Sequence, residues 1–229
     1  ALMALATLAG KNKGRTVEWL AVQRTIQGCR RCENEAVIHL HVPCGEKREP
    51  PCEPVRPVRL YFVSVAPPWG GAYFWDGTER DAVREGLFTA LKPAFGMEIR
   101  NCEEFLVNHF FLSPAVKCSS MSEGKDHRPS RQAVRNCQNH LLNELLIAQP
   151  ERILALGKVP FESLCELFNL RASRKVSEFR KETWRVRLGA REVLLSGTYF
   201  PGNNRNNQRP HIEQDIKRIL KEFPRNDSA

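Results

Sequence analysis

The alternation of strand-like and helix-like segments predicts an α/β fold, with a mainly parallel sheet and helices on both faces. Residues 58–65 (VRLYFVSV) read as a buried strand that opens into Ala66-Pro67-Pro68-Trp69-Gly70-Gly71 and then a helical pattern. Residues 108–116 begin the same succession again, with a Ser/Gly/Pro loop over 119–130 and a helix over 131–148. Residues 153–157 (ILALG) form a third short strand before another helix. Strand, loop and helix in repeated succession mark parallel strands joined by helical crossovers. Such sheets place their sites at the carboxyl ends of the strands.

The remaining elements follow in chain order. Residues 1–10 are apolar, but no basic residue precedes them and they are too short to span a bilayer. They read as the start of the first element or a trimmed terminus. Residues 16–28 predict a helix, with Trp19, Leu20, Val22 and Ile26 spaced for one face. Residues 42–57, rich in Pro and charge, read as a loop in which Cys44 and Cys52 are solvated thiols. A helix is expected over residues 78–91, a hairpin over 185–188 and 192–195 around Gly189-Ala190, and an amphipathic helix over 212–223. With no repeat and no long linker, the expectation is one domain over 1–229, its first 57 residues supplying an N-terminal helix and loop.

Bulk composition narrows the class. At 229 residues and 41 % hydrophobic, the chain can bury a substantial core without covalent staples. Its eight cysteines therefore do not call for a disulfide scaffold, and a reducing cytoplasm is the expected home. The net charge of +9 favours polyanionic partners, nucleic acid foremost.

Four cysteines fall in a pattern that packing does not explain. Cys29 and Cys32 form a C-R-R-C turn, while Cys118 and Cys137 are separated by 18 residues. Four soft thiolates from two segments suit a cubane iron–sulfur cluster or a structural zinc ion.

Around these cysteines the chain resembles the uracil-DNA glycosylases, most closely the iron–sulfur families four and five. The resemblance is carried by Cys29 and Cys32, Val116-Lys117-Cys118, Asn136-Cys137, Leu141, Glu144-Leu145, Pro150 and the Leu156-Gly157 strand end. It implies a three-layer α/β/α fold around a four-stranded sheet, a 4Fe-4S cluster on Cys29, Cys32, Cys118 and Cys137, and DNA as partner. Ala66-Pro67 matches the first catalytic loop, and Phe74 the aromatic that stacks on the extruded base. Residues 197–205 (GTYFPGNNR) match the second loop. Three positions depart from the family. Val65 replaces the family-four glutamate that positions water, Pro114 the uracil-reading asparagine, and Phe200 the histidine of the second loop.

Asp76, just past the stacking aromatic as in family five, is the expected catalytic carboxylate, with a helix cap as its competing role. Phe74, Ser113, Pro114, Phe200 and Pro67 are the expected base pocket. Asn203, Asn204, Arg205, Asn206, Lys117 and Ser119 are the expected DNA contacts. The implied activity is that of a monomeric DNA glycosylase, outside any membrane and associated with a prokaryotic nucleoid, which hydrolyses the N-glycosidic bond of a deaminated or modified base. The three apolar replacements leave two alternatives: glucosylated hydroxymethylcytosine of phage DNA as the substrate, in antiviral defence, or a DNA-binding member without catalysis. Cys102 and Cys165 are expected to be buried thiols.

Overall fold

In the computed structural model, residues 13–35, 38–39, 53–70, 73–77, 79–173, 175–202 and 208–222 are described. The apolar residues 1–10, Cys44 and Cys52, and Asn203, Asn204, Arg205 and Asn206 lie outside them. In chain order the elements are α1 (Lys13–Gln27), β1 (Ile38–His39), β2 (Leu60–Ser64), α2 (Ala82–Phe95), α3 (Cys102–Val107), β3 (Phe110–Pro114), β4 (Ser119–Ser122) and β5 (Lys125–Asp126). They continue with α4 (Arg131–Ala148), β6 (Arg152–Leu156), α5 (Lys158–Leu167), α6 (Val176–Phe179), β7 (Thr183–Leu188), β8 (Arg191–Thr198) and α7 (Arg209–Lys221).

The central sheet runs β3-β2-β6-β8-β7. The first four strands are mutually parallel, and β7 lies antiparallel to β8 at the edge. The mainly parallel α/β architecture is as the sequence predicts, with a fifth strand where four were expected. That strand is the first arm of the predicted hairpin. Gly189, at φ 61, turns the chain tightly enough to pair all of β7 with β8. Strand order reverses between β2 and β6, so a crevice is expected beyond their carboxyl ends, at Val65 and Gly157.

Alternation along the central strands separates the two helical layers. Tyr61 and Phe111 face one side, where Trp19 of α1 meets Phe111 edge-on at 5.5 Å and Glu144 of α4 meets Tyr61. Phe62 and Phe110 face the other, where Phe105 of α3 and Phe95 of α2 pack on them. The inner face of α1 differs from expectation. Trp19 and Gln23 are buried, whereas Leu20 is 48 % exposed. Gln23 is turned inward by its hydrogen bond to Glu144.

Residues 119–126 form a hairpin, β4–β5, rather than the expected loop. Glu123 and Gly124 both adopt positive φ (52° and 72°), the geometry of a two-residue hairpin turn. β4 also pairs with β1, making a small second sheet. No helix among the described residues is long and apolar enough to cross a membrane.

Candidate active site and cysteine cluster

The loop leaving β2 is held from below and behind. Pro67 is buried, and the carbonyl of Pro68 accepts a hydrogen bond from Ser119 Oγ at 3.1 Å. The backbone N–H of Trp69 donates to Asp126 Oδ1 at 2.5 Å. Ser119, expected to reach phosphate, is fully buried and braces this loop from the β4–β5 hairpin instead.

Farther along, the carbonyls of Tyr73, Phe74, Asp76 and Glu79 gather around one guanidinium. Arg84 of α2 donates to the carbonyls of Tyr73 at 3.3 Å and Phe74 at 2.9 Å, and also to those of Asp76 and Glu79. Asp76 is half-buried, and its N–H closes a tight turn onto Tyr73 O at 2.9 Å. Asp76 does not cap α2. That helix starts at Ala82, four residues later than expected, and Asp81 Oδ1 accepts the N–H of Arg84 at 2.6 Å. Burial raises the Asp81 pKa, partly offset by that hydrogen bond and by the Arg84 charge.

Phe74 departs from expectation. It is 3 % exposed, with Trp75, Phe88 and Phe105 around it at centroid distances of 5.0, 5.9 and 5.3 Å. Here it is a core aromatic rather than an open stacking platform.

The second loop approaches the same edge of the sheet. Phe200 is half-buried, and a methyl group on Gly157 would stand 3.4 Å from its Cβ. Pro201 lies against α2, where the helix is narrowed by Gly86. The root of this loop is fixed by a buried network that sequence reasoning missed. Arg180 Nε donates to Asp215 Oδ2 at 2.9 Å, and Thr198 Oγ1 donates to the same oxygen at 2.7 Å. The guanidinium of Arg180 also lies over the Tyr199 ring at 5.7 Å. These residues are far apart in sequence, so no local pattern announces them. Pro114 thus ends β3, Pro67 and Phe200 follow the carboxyl ends of β2 and β8, and Asp76 is tied to the first turn of α2 through Arg84.

Ser113 is fully buried, and its hydroxyl donates to Glu144 Oε2 at 2.7 Å. Lys117 Nζ pairs with the same carboxylate and donates to Ser113 Oγ at 2.8 Å and Pro114 O at 2.6 Å. The side chains of both are thus engaged with α4 and the end of β3. Together they tie β3 to α4 through an ion pair shielded from solvent.

Three of the four expected ligand cysteines lie in one buried apolar cluster: Cys32, Cys118 and Cys137, with Val116, Ala133 and Val134. Cys29, half-buried, follows the last turn of α1. The Cys137 thiol donates to Cys32 sulfur and holds the Cys32 pKa down at about 6, with Asn136 Nδ2 adding a contact at 3.4 Å. The same contact, with burial, pushes Cys137 up. None of the four forms a disulfide among the described residues. Among the described residues, no three His, Cys, Asp or Glu side chains form a metal site as they stand. The donor chemistry nonetheless fits a thiolate-bound group, because soft sulfurs from three segments meet in a buried apolar cluster. Cys102 and Cys165 are partly buried, and burial pushes each thiol up to about 11.

A mainly parallel sheet with loops gathered beyond its carboxyl edge is an α/β architecture that places a site where strand order reverses. Residues 54–221 match the model of the uracil DNA glycosylase superfamily, and the chain belongs to that superfamily. Over 91 residues it is 31 % identical to the type-4 uracil-DNA glycosylase of Pyrobaculum aerophilum. That stretch is 40 % of this chain and 44 % of the relative, so the match spans less than half of either protein.

Proposed function

We propose that this protein is a DNA glycosylase that extrudes a deaminated or modified base and hydrolyses its N-glycosidic bond, leaving an abasic site. The observation that supports the reading is the seating of the second loop, 199–202, on α2, the helix that follows the first loop, where Pro201 meets Gly86. Both loops belong to a chain of the uracil DNA glycosylase superfamily. A base must leave the stack before its sugar carbon can be attacked. The transition state then resembles an oxocarbenium ion, with negative charge departing on the base. A carboxylate near the sugar orients water and steadies the cation. Asp76 is assigned that role, its backbone being held by Arg84. Pro67, Pro114 and Phe200 give the base an apolar enclosure, which discriminates poorly for the polar edge of uracil.

Cys29, Cys32, Cys118 and Cys137 are assigned as the residues that hold a 4Fe-4S cluster. Bound there, the cluster supplies a covalent link between α1, the 115–118 segment and α4. Positive charge supplies general affinity for DNA, and Asn203, Asn204, Arg205 and Asn206 are assigned to the groove.

The test is a screen over duplexes carrying uracil, hypoxanthine, xanthine, and hydroxymethylated or glucosylated cytosine. An alkali-labile site in one of them is expected. Asp76→Asn should lower single-turnover cleavage of that substrate by orders of magnitude while binding to an uncleavable analogue stays nearly intact. The apolar residues at Val65, Pro114 and Phe200 favour one second reading, a DNA-binding member without hydrolysis. Binding to DNA with no cleavage of any substrate would select it.

A further inference from the structure

A groove of about 1110 Å³ runs beside α5, between the first turns of α4 and residues 170–173. That is more room than a small-ligand pocket usually needs, and its lining is charged rather than apolar. Arg128, Arg131, Arg135, Lys158 and Arg171 line it, against three carboxylates, Glu162, Glu166 and Glu182.

The pairing within the groove is incomplete. Glu162 serves both Arg128 at 3.3 Å and Lys158 at 3.9 Å, and Glu166 serves Arg135 at 2.8 Å. Among the described residues, Arg131 and Arg171 make no ion pair, and both are exposed. The existing pairs are solvent-exposed, so each contributes little and can exchange its carboxylate for a phosphate. The wall also holds a buried polar group without a partner. Ser163 is fully buried, and its Oγ has no hydrogen-bond partner among the described residues.

Location selects the ligand. Arg131 opens α4 and Lys158 opens α5. A helix that connects parallel strands begins at their carboxyl edge, so these cations stand on the same edge as the two loops, and the helix N-termini add positive potential there. Lys158 follows Gly157, on which Phe200 of the second loop rests. The groove therefore starts one residue from the expected base enclosure.

On the glycosylase reading above, we propose that this groove takes the phosphodiester backbone of the DNA strand flanking the extruded nucleotide. Each arginine neutralises a phosphate and releases its counterion, so affinity gained here must depend on salt.

The test is fluorescence anisotropy on a duplex carrying an uncleavable tetrahydrofuran abasic analogue, across a salt series. The double variant Arg131→Ala with Arg171→Ala should lower the slope of log affinity against log salt by about two units, and affinity at low salt by about tenfold or more. Lys158→Ala alone should lower the slope by about one unit. Arg187→Ala, on the far edge strand β7, is the control and should change neither. Both arginines are exposed and make no ion pair among the described residues, so the double variant should melt like the parent. Parent-like slopes in the double variant and in Lys158→Ala, with the parent binding DNA, would remove DNA from the groove and leave the glycosylase reading standing. Parent-like slopes together with lost affinity for poly-glutamate would reassign the groove to an acidic protein. A parent chain that binds no duplex at all would overturn the glycosylase reading itself, and the groove assignment with it.

Discussion

A side chain on Gly86 has nowhere to go, because its first carbon would stand 2.5 Å from the carbonyl oxygen of Pro201. The obstacle is backbone, which cannot swing aside as the end of a long side chain does. The helix that follows the first loop and the turn of the second loop are thus fitted to each other at contact distance.

Gly86→Ala should therefore destabilise, even though alanine is the better helix former by about 1 kcal/mol. Overpacking against a fixed carbonyl costs about 1–3 kcal/mol, enough to reverse the propensity gain. Denaturant melts should show lowered stability, and base excision should fall further than stability does, because relief of the clash displaces Pro201 and Phe200. A variant more stable than the parent, with unchanged cleavage, would show that the two loops are not coupled here.

Arg84→Lys should loosen residues 73–79 without unfolding the domain. A planar guanidinium reaches several carbonyls splayed around it, whereas an ammonium cannot hold the same set. The carbonyls of Tyr73, Phe74, Asp76 and Glu79 would then lose donors, at a cost of about 1–3 kcal/mol. Hydrogen exchange should show lost protection confined to this loop and the first turn of α2. Uniform loss across the sheet would instead make Arg84 a core residue.

What the sequence made legible was what local pattern determines. Residues 131–148 gave α4 at its observed bounds, because Ser130 caps an amphipathic run and its hydroxyl accepts the N–H of Ala133 at 3.0 Å. Helix α3 escaped notice because six residues carry too little periodicity. Its signal was Asn101, which caps it onto the N–H of Glu104, followed by two glutamates in the first turn. Lys117 misled for a different reason. A lysine in a V-K-C element looks like a surface cation until Glu144, far along the chain, is seen to bury it. Phe74 likewise could not be told from a stacking platform until Phe88 and Phe105 closed around it.

The pair between Lys117 and Glu144 is a buried one, the side chains being 5 % and 1 % exposed. Glu144→Leu removes the carboxylate from a buried ammonium that also donates to Ser113 Oγ and Pro114 O, and should cost about 3–5 kcal/mol. Lys117→Met should cost a similar amount. The double variant should cost much less than the sum, because two apolar side chains replace two desolvated charges. A double-mutant cycle from urea melts measures the difference. Strict additivity would mean that the two groups do not share the ion pair.

Asp81 carries a pH dependence whose sign differs from that of a salt-bridged carboxylate. Burial raises its pKa in the folded chain above the ordinary value of 3.8, against the opposing pull of the Arg84 N–H and charge. Between 3.8 and the raised folded value, the folded chain binds this proton more readily than the unfolded chain. Its contribution to stability therefore falls as pH rises through the folded value, and is largest below 3.8. Asparagine does not titrate and caps a helix about as well as aspartate. Asp81→Asn should thus cost the most stability at acid pH and little or none at pH about 7. Urea melts of parent and variant at both ends of that range decide the point. A cost that grows toward neutral pH would mean that the charge of Asp81, facing the α2 N-terminus and Arg84, outweighs its burial.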